Sequence, residues 1–241
     1  MQEKIMKYSI VVEFDKGMVD EKGRATNGAI LKLLEDVSTA HAESVGYGLE
    51  ALRSRGVTWM LVDWRVEVTR RPILGESVVA VTWSRGAAAR VFALRDFELF
   101  VGGELVAKAS SRWIIYDFVN SRLTKVTDET IEKYAHEKEL KAFPDGGFEK
   151  IAAFEDYDKT VPYSIKPSDI DKNGHLHNLV YLDVASKAVE QKVFDNFSIS
   201  YKKEILPSDN VLCKVKFAEN ATCFSIENKD THAINALIKM S

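Results

Sequence analysis

One block of the chain occurs twice, and a duplicated unit constrains the fold more than any other feature of the sequence. Asp20-x-x-Gly23-x-x-x-Asn27 recurs as Asp171-x-x-Gly174-x-x-x-Asn178, each copy directly ahead of a helix-like run. Tyr8-Ser9-Ile10 recurs as Tyr163-Ser164-Ile165, and Arg70-Arg-Pro-Ile-Leu74 recurs as Lys202-Lys-Glu-Ile-Leu206. Three matches in the same order, each at a comparable place in the pattern, predict duplication of one α+β unit. The offset between copies falls from 151 to 132 because the second copy lacks a counterpart of segment 46–57.

The local signals agree with such a unit. Residues 8–14 read as a strand. A helix over 28–44 follows, with Asn27 as the expected N-cap and Gly46 as the stop. Four β-rich stretches come next, at 58–69, 76–84, 89–101 and 104–117, the last two joined by the hairpin signal Gly102-Gly103. Composition changes from Asn120 to Lys159, where a charged helix over Thr127–Leu140 and a breaker over 144–147 read as a linker. The expected division is an N-terminal domain over 1–120, a linker over 121–159 and a C-terminal domain over 160–241.

Bulk properties exclude several classes. The hydrophobic content of 46% and charged content of 29% suit a globular chain with a real core. A formal net charge of -3 argues against a general nucleic-acid binder. No run approaches the ~18 apolar residues of a membrane span. The first ten residues have no apolar signal region, so a cytoplasmic location is expected. Cys213 and Cys223 are too few for a metal cluster or a disulfide scaffold, and read as buried hydrophobes on a hairpin turning near Asn220.

Chemistry concentrates between Asp169 and Asp183. Asp169, Asp171, Asn173, His175, His177 and Asn178 lie within ten residues, on a loop bent at Asn173-Gly174, ahead of a helix expected over Leu179–Phe194. Carboxylate, amide and imidazole together can orient a water and carry its proton. Asp171, His175 and His177 also make a formal set of metal ligands, but Gly174 argues against the extended backbone that would aim both imidazoles one way. Aligned on the repeat, His175 faces Arg24, Asn173 faces Lys22 and Glu204 faces Pro72, so one active site per chain is expected, in the second unit. In the first unit, Leu49, Leu52, Val57, Trp59, Leu61 and Trp64 read either as plain core or as an apolar channel. Arg53, Arg55, Arg70, Arg71, Lys202 and Lys203 read as a solvated face or as a docking surface for an acidic partner.

These residues resemble the acyl-[acyl-carrier-protein] thioesterases of the plant plastid and bacterial type, which carry two hotdog domains in one chain. The likeness rests on Asp171, Asn173, His175 and Asn178, followed by Glu204 in Tyr201-Lys-Lys-Glu-Ile205, and on Glu35–Gly46 and Trp59–Pro72 in the first unit. It implies an α+β fold of two tandem hotdog domains forming a pseudo-dimer. It also implies hydrolysis of acyl-carrier-protein thioesters, with Asp171, Asn173, His175 and Glu204 as catalytic residues. No cofactor and no metal are implied. The implied partner is acyl carrier protein, with neither nucleic acid nor membrane, and the chain would act as a monomeric pseudo-dimer or a homodimer. Two positions depart from the family pattern. Ile205 stands where a Cys often follows the Glu, which removes a thiolate mechanism, and His177 stands in place of an Asn. An acyl-CoA thioesterase and a non-catalytic acyl-binding hotdog are the alternative readings.

Overall fold

The computed structural model describes residues 7–145 and 147–241. The first six residues and Gly146, within the expected breaker, lie outside the described part. The first half runs β1 (Tyr8–Glu13), α1 (Asn27–Ser44), α2 (Leu49–Arg53), β2 (Val57–Val68), β3 (Ser77–Ala88), β4 (Phe92–Val101) and β5 (Glu104–Asp117). A connection follows, with β6 (Arg122–Thr124) paired to β5, and α3 (Asp128–Lys133). The second half runs β7 (Lys159–Tyr163), α4 (Asn178–Ala188), β8 (Asn196–Tyr201), β9 (Val211–Ala218), β10 (Ala221–Asn228) and β11 (Ile234–Met240).

All the strands form one sheet in the order β1-β3-β4-β5-β2-β8-β11-β10-β9-β7, with β6 added beside β5. Each half therefore has the same topology, first-third-fourth-fifth-second, and the two meet at their second strands. The junction is an antiparallel ladder running from Asp63 opposite Ser200 to Glu67 opposite Asn196. Its inward residues are apolar: Trp64, Val66, Phe197 and Ile199 are buried. Helices α1 and α4 touch each other and share one continuous core with inward residues from both halves. Ile30, Leu31, Leu34 and Val37 enter it from α1, and Tyr181, Leu182, Val184 and Ala185 from α4. Full burial of each such aliphatic side chain stabilises the fold by about 1.5–3 kcal/mol, so neither half covers its apolar surface as well alone.

Several local expectations shift in the structure. Thr26, not Asn27, caps α1, because its hydroxyl accepts from the Ala29 N–H at 3.1 Å. The linker helix is only Asp128–Lys133. Ala135 takes a left-handed φ of 46°, and the following chain is drawn onto the sheet, where Glu137 N–H donates to Ser84 O and Trp83 Nε1 to Leu140 O. Helix α4 ends at Ala188, well before Phe194, because Glu190 turns left-handed and Phe194 is needed in the core. Gly102 and Gly103, both at positive φ, make the predicted β4–β5 hairpin.

The ladders also correct the register of the repeat. Tyr163 pairs with Val211, whereas the corresponding pair in the first half is Val12 with Val78. The Tyr-Ser-Ile likeness is therefore four residues out of step. In the third match, Ala25 N–H donates to Pro72 O and Leu176 N–H donates to Ile205 O, each at 2.8 Å. Pro72 is thus the partner of Ile205, and Glu204 corresponds to Arg71 rather than to Pro72.

Because the halves share one core, Phe197→Ala should cost about 3–5 kcal/mol and leave a single cooperative transition. Urea unfolding followed by both tryptophan fluorescence and circular dichroism checks this. Two separated transitions would contradict a common core.

Candidate active site

The loop ahead of α4 is held by one carboxylate. Asp171 Oδ1 accepts from the backbone N–H of Asn173 at 2.8 Å and of His175 at 3.1 Å, while Oδ2 accepts from Asn173 Nδ2 at 3.3 Å. Asp171 N–H donates to His175 O, and Gly174, at φ 83°, supplies the left-handed residue that closes the turn. The first half repeats this turn without the chemistry: Asp20 Oδ1 accepts from Lys22 N–H and Arg24 N–H, both at 2.9 Å. The duplicated aspartate is therefore first a loop-building residue.

His175 and Glu204 meet across the site, with Nε2 and Oε2 3.6 Å apart and both side chains partly solvated. Strand β8 stops at Tyr201, so Glu204 sits on the turn beyond the strand, not on it. That turn is clamped from two sides. Lys202 N–H and Lys203 N–H donate to Asn235 O, and Asn235 Nδ2 donates to Lys203 O and Glu204 O. On the other side Leu176 N–H reaches Ile205 O, and the Ile205 side chain is fully buried. Asn235, which clamps this turn, is 1% exposed and stands far from the loop in the sequence. Its only signal there is one amide inside the apolar run Ile234-Asn-Ala-Leu-Ile238.

The other polar residues of the stretch have structural duties. His177 is the N-cap of α4, its Nδ1 accepting from the Leu179 N–H at 3.2 Å, the place that Thr26 holds on α1. Asp169 takes hydrogen bonds from Tyr163 Oη and Lys166 N–H. Asn178, the first residue of α4, accepts at its carbonyl from Tyr201 Oη. Cys213 and Cys223 lie on the β9–β10 hairpin, away from this loop in the chain order. Burial pushes the Cys213 thiol up to about 12 and the Cys223 thiol up as well, so neither is a ready thiolate at neutral pH.

At the equivalent place in the first half, Arg71 fills the site. Its guanidinium is buried and donates to Ala25 O, Asn27 Oδ1 and Phe194 O. A cation locked onto carbonyls stands where the second half presents Glu204, and Arg24 is bound to Asp20 Oδ2 at 2.8 Å. The first half keeps the turn and lacks both the imidazole and the carboxylate.

A cavity of about 200 Å³ opens in the first half beside this loop. Ala42, Leu49, Leu52, Trp59, Ala93 and Trp113 form its apolar wall, and Asn173 reaches it from the second half. Arg53 Nη2 donates to Asn173 Oδ1 at 2.5 Å, tying α2 to the Asp171–His175 loop. Of the apolar residues expected here, Leu49, Leu52 and Trp59 line the cavity; Leu61 and Trp64 belong to the main core. A bulge between Leu61 and Asp63 moves the inward set of β2 from odd to even positions, which no simple alternation predicts.

Glu35 shares a row of α1 with the cavity residues Ser38, Thr39 and Ala42, at helical spacing. Its Oε1 is buried without a hydrogen-bond partner. Burial, then the Asp36 charge, pushes the carboxyl from 4.5 up to about 8, against a smaller opposing pull from Lys32.

A single antiparallel sheet backed by two helices, with one loop-and-turn site in the second half, defines a double-hotdog protein. The chain belongs to the acyl-ACP thioesterase family: the model of its N-terminal domain matches residues 5–134 and that of its C-terminal domain residues 153–239. It is 27% identical over 208 residues to oleoyl-acyl carrier protein thioesterase 1, chloroplastic, of Arabidopsis thaliana, covering 78% of this chain and 57% of that protein. It is 24% identical to oleoyl-acyl carrier protein thioesterase, chloroplastic, of Coriandrum sativum, covering 88% of this chain and 63% of that one. The chain thus spans less than two thirds of either relative. In fold it resembles the 12:0-ACP thioesterase from Umbellularia californica, with a TM-score of 0.86 at 19% identity, covering 98% of this chain and 96% of that one. An acyl-ACP thioesterase from Bacteroides thetaiotaomicron gives a TM-score of 0.86 at 21% identity, covering 100% and 99%.

Glu35 generates a pH prediction. Below about pH 4.5 the carboxyl is protonated in both folded and unfolded chains and costs nothing. Between there and about pH 8 the unfolded chain releases a proton that the folded one keeps, so stability falls as pH rises. Glu35→Gln should remove this slope and be the more stable protein at pH 8. Urea midpoints of both proteins across that range check it; parallel profiles would contradict the buried acid.

Proposed function

We propose that the protein hydrolyses acyl-carrier-protein thioesters to free fatty acid and carrier protein, the step that terminates fatty acid synthesis. The observation that carries this reading is Asn173, which belongs to the His175 loop and to the wall of the apolar cavity at once. An acyl chain buried in that cavity gains about 0.8 kcal/mol per methylene and leaves its thioester at the loop.

Each residue then has a role that its contacts support. His175, beside the Glu204 carboxylate, takes the proton from the attacking water, and the nearby negative charge stabilises the imidazolium that forms. The same proton passes to the departing thiolate. Arg53 can only donate, so Asn173 must turn Oδ1 toward it and Nδ2 toward Asp171. One N–H of that amide remains to donate to the oxyanion, aided by the positive end of α4. Asp171 positions both groups through its turn and is not the base. Asn235 holds Glu204 from beneath.

Arg53, Lys202 and Lys203 flank the site and offer an acidic carrier protein a docking face. Arg71, counted with them in the sequence, is buried and unavailable. The division into a pocket domain over 1–120, a linker over 121–159 and a catalytic domain over 160–241 fits this assignment. Since both halves of a hotdog pair lie in one chain, a monomer or a homodimer would carry complete sites. No helix among the described residues is long and apolar enough to cross a membrane, and the free Cys213 and Cys223 suit a reducing cytoplasm.

Assays with matched acyl-carrier-protein and acyl-CoA substrates test the reading; equal or better use of the CoA ester would overturn the choice of carrier. His175→Ala and Glu204→Gln should each lower kcat by about 10²-fold or more, and Arg24→Ala should leave it within a few-fold. The double variant Cys213→Ala/Cys223→Ala should keep full activity. Inhibition by iodoacetamide that substrate prevents would place a thiol in the site instead.

Chain-length choice follows the cavity wall. Ala42→Leu or Ala93→Leu should shift the product profile to shorter acids in a folded protein, since each methylene excluded from the filled cavity weakens binding of the longer chain by about 1 kcal/mol or more. Gas chromatography of the released acids measures this, and an unchanged profile would place the acyl chain elsewhere.

A further inference from the structure

The cavity is not apolar throughout. Asn173 is exposed at its rim, whereas Arg95, 8% exposed, lies in its wall on the inner side. The hydrogen bonds from the Arg95 guanidinium to His41 Nδ1 at 2.9 Å and to Thr82 Oγ1 at 3.2 Å both leave from Nη1, and the Tyr134 hydroxyl is a further neutral neighbour. Burial, then the Arg95 charge, holds His41 down at about 3, so this imidazole is neutral and acts as the acceptor. The Tyr134 ring covers the cation with its centroid 5.1 Å away. Among the described residues no carboxylate pairs with Arg95. The adjacent Asp96 is engaged by Arg85, Ser110 and the Ala142 N–H. A buried cation with only neutral partners is costly, and the cost is recovered when an anion joins it.

A second group points the same way. Ser38, on the turn of α1 before His41, is 6% exposed and lines the same cavity, yet its Oγ has no hydrogen-bond partner. A hydroxyl buried in a purely hydrocarbon tunnel would lose its hydration with nothing in return. A plain methyl-ended chain satisfies neither Ser38 nor the remaining Arg95 donors.

We infer that the inner end of the cavity is an oxygen-acceptor site built from Arg95 and Ser38, and that it selects acyl groups carrying a carboxylate at the end remote from the thioester. This rests on the assignment of the cavity to the acyl chain and names the class of chain it takes. The Arg95 guanidinium, with five N–H donors, donates to the carboxylate, and the Ser38 hydroxyl donates to its second oxygen.

Binding tests this without requiring turnover. Non-hydrolysable pantetheine amides of a saturated acid, of its ω-hydroxy analogue and of its ω-carboxy analogue are titrated into the whole protein. Calorimetry and the fluorescence of Trp59 and Trp113, which line the cavity, are the readouts. The ω-carboxy amide should bind about tenfold or more tighter than the methyl-ended one, the usual size of a charge-assisted hydrogen bond. Arg95→Met should erase that preference, and Ser38→Ala should reduce it. Should Arg95→Met fail to fold, the wild-type comparison and Ser38→Ala decide alone. Equal or tighter binding of the methyl-ended amide by wild type would overturn the inference, and a preference for the ω-hydroxy amide over the ω-carboxy one would overturn the choice of carboxylate. Hydrolysis of plain and of ω-carboxy acyl-carrier-protein thioesters is assayed in parallel; absence of both activities beside a clear ω-carboxy binding preference would sink the catalytic reading and leave this site standing.

Discussion

The pairing of β2 with β8 is the contact on which the rest of the molecule depends. It runs only from Asp63–Ser200 to Glu67–Asn196, yet it makes one sheet of two. Two open sheets would each leave a long central strand unpaired, with its backbone donors and acceptors exposed as an edge. Splicing them removes both edges and brings α1 and α4 into contact over one core. It also carries the second half's loop to the first half's cavity, where Asn173 meets Arg53. A site made from both halves is a consequence of that ladder.

Duplication explains how one copy can place an imidazole beside a carboxylate while the other does not. Both turns are closed by an aspartate accepting two backbone N–H groups, and both precede a helix capped by its preceding side chain. The scaffold therefore tolerates whatever residue follows the turn glycine. In the second copy that freedom presents His175 toward Glu204; in the first, Arg24 folds back on Asp20 and Arg71 is buried among carbonyls. Arg71 is not idle, since its bond to Phe194 O reaches into the other half and helps hold the halves together.

Much of this was legible in the residues. The strands of the first half, helix α1, the Gly102-Gly103 hairpin and the Asp171–His175 turn follow from local signals, because alternation, caps and turn residues act over a few positions. Where the fold departs from these local signals, distant contacts decide. The α4 helix stops early because Phe194 is drawn into the core, and the linker helix is cut short because residues after Lys133 bind β3. Likewise the Pro72–Glu204 alignment is off by one, since only the bonds from Ala25 and Leu176 reveal the true partners.

By itself the sequence determined the duplicated α+β plan, the chemical character of the loop and the absence of a cysteine beside Glu204, since Ile205 stands there. These are matters of residue type and short spacing. Only the tertiary structure decided which imidazole faces Glu204 and which caps a helix, because His175 and His177 differ in direction rather than in chemistry. It alone brought Asn235 under Glu204, placed Glu35 and Arg95 in the interior and set the cavity against the loop. The reason is physical: burial, and the hydrogen bonds it makes obligatory, join groups far apart in the chain, and no local pattern records which of them will be left without water.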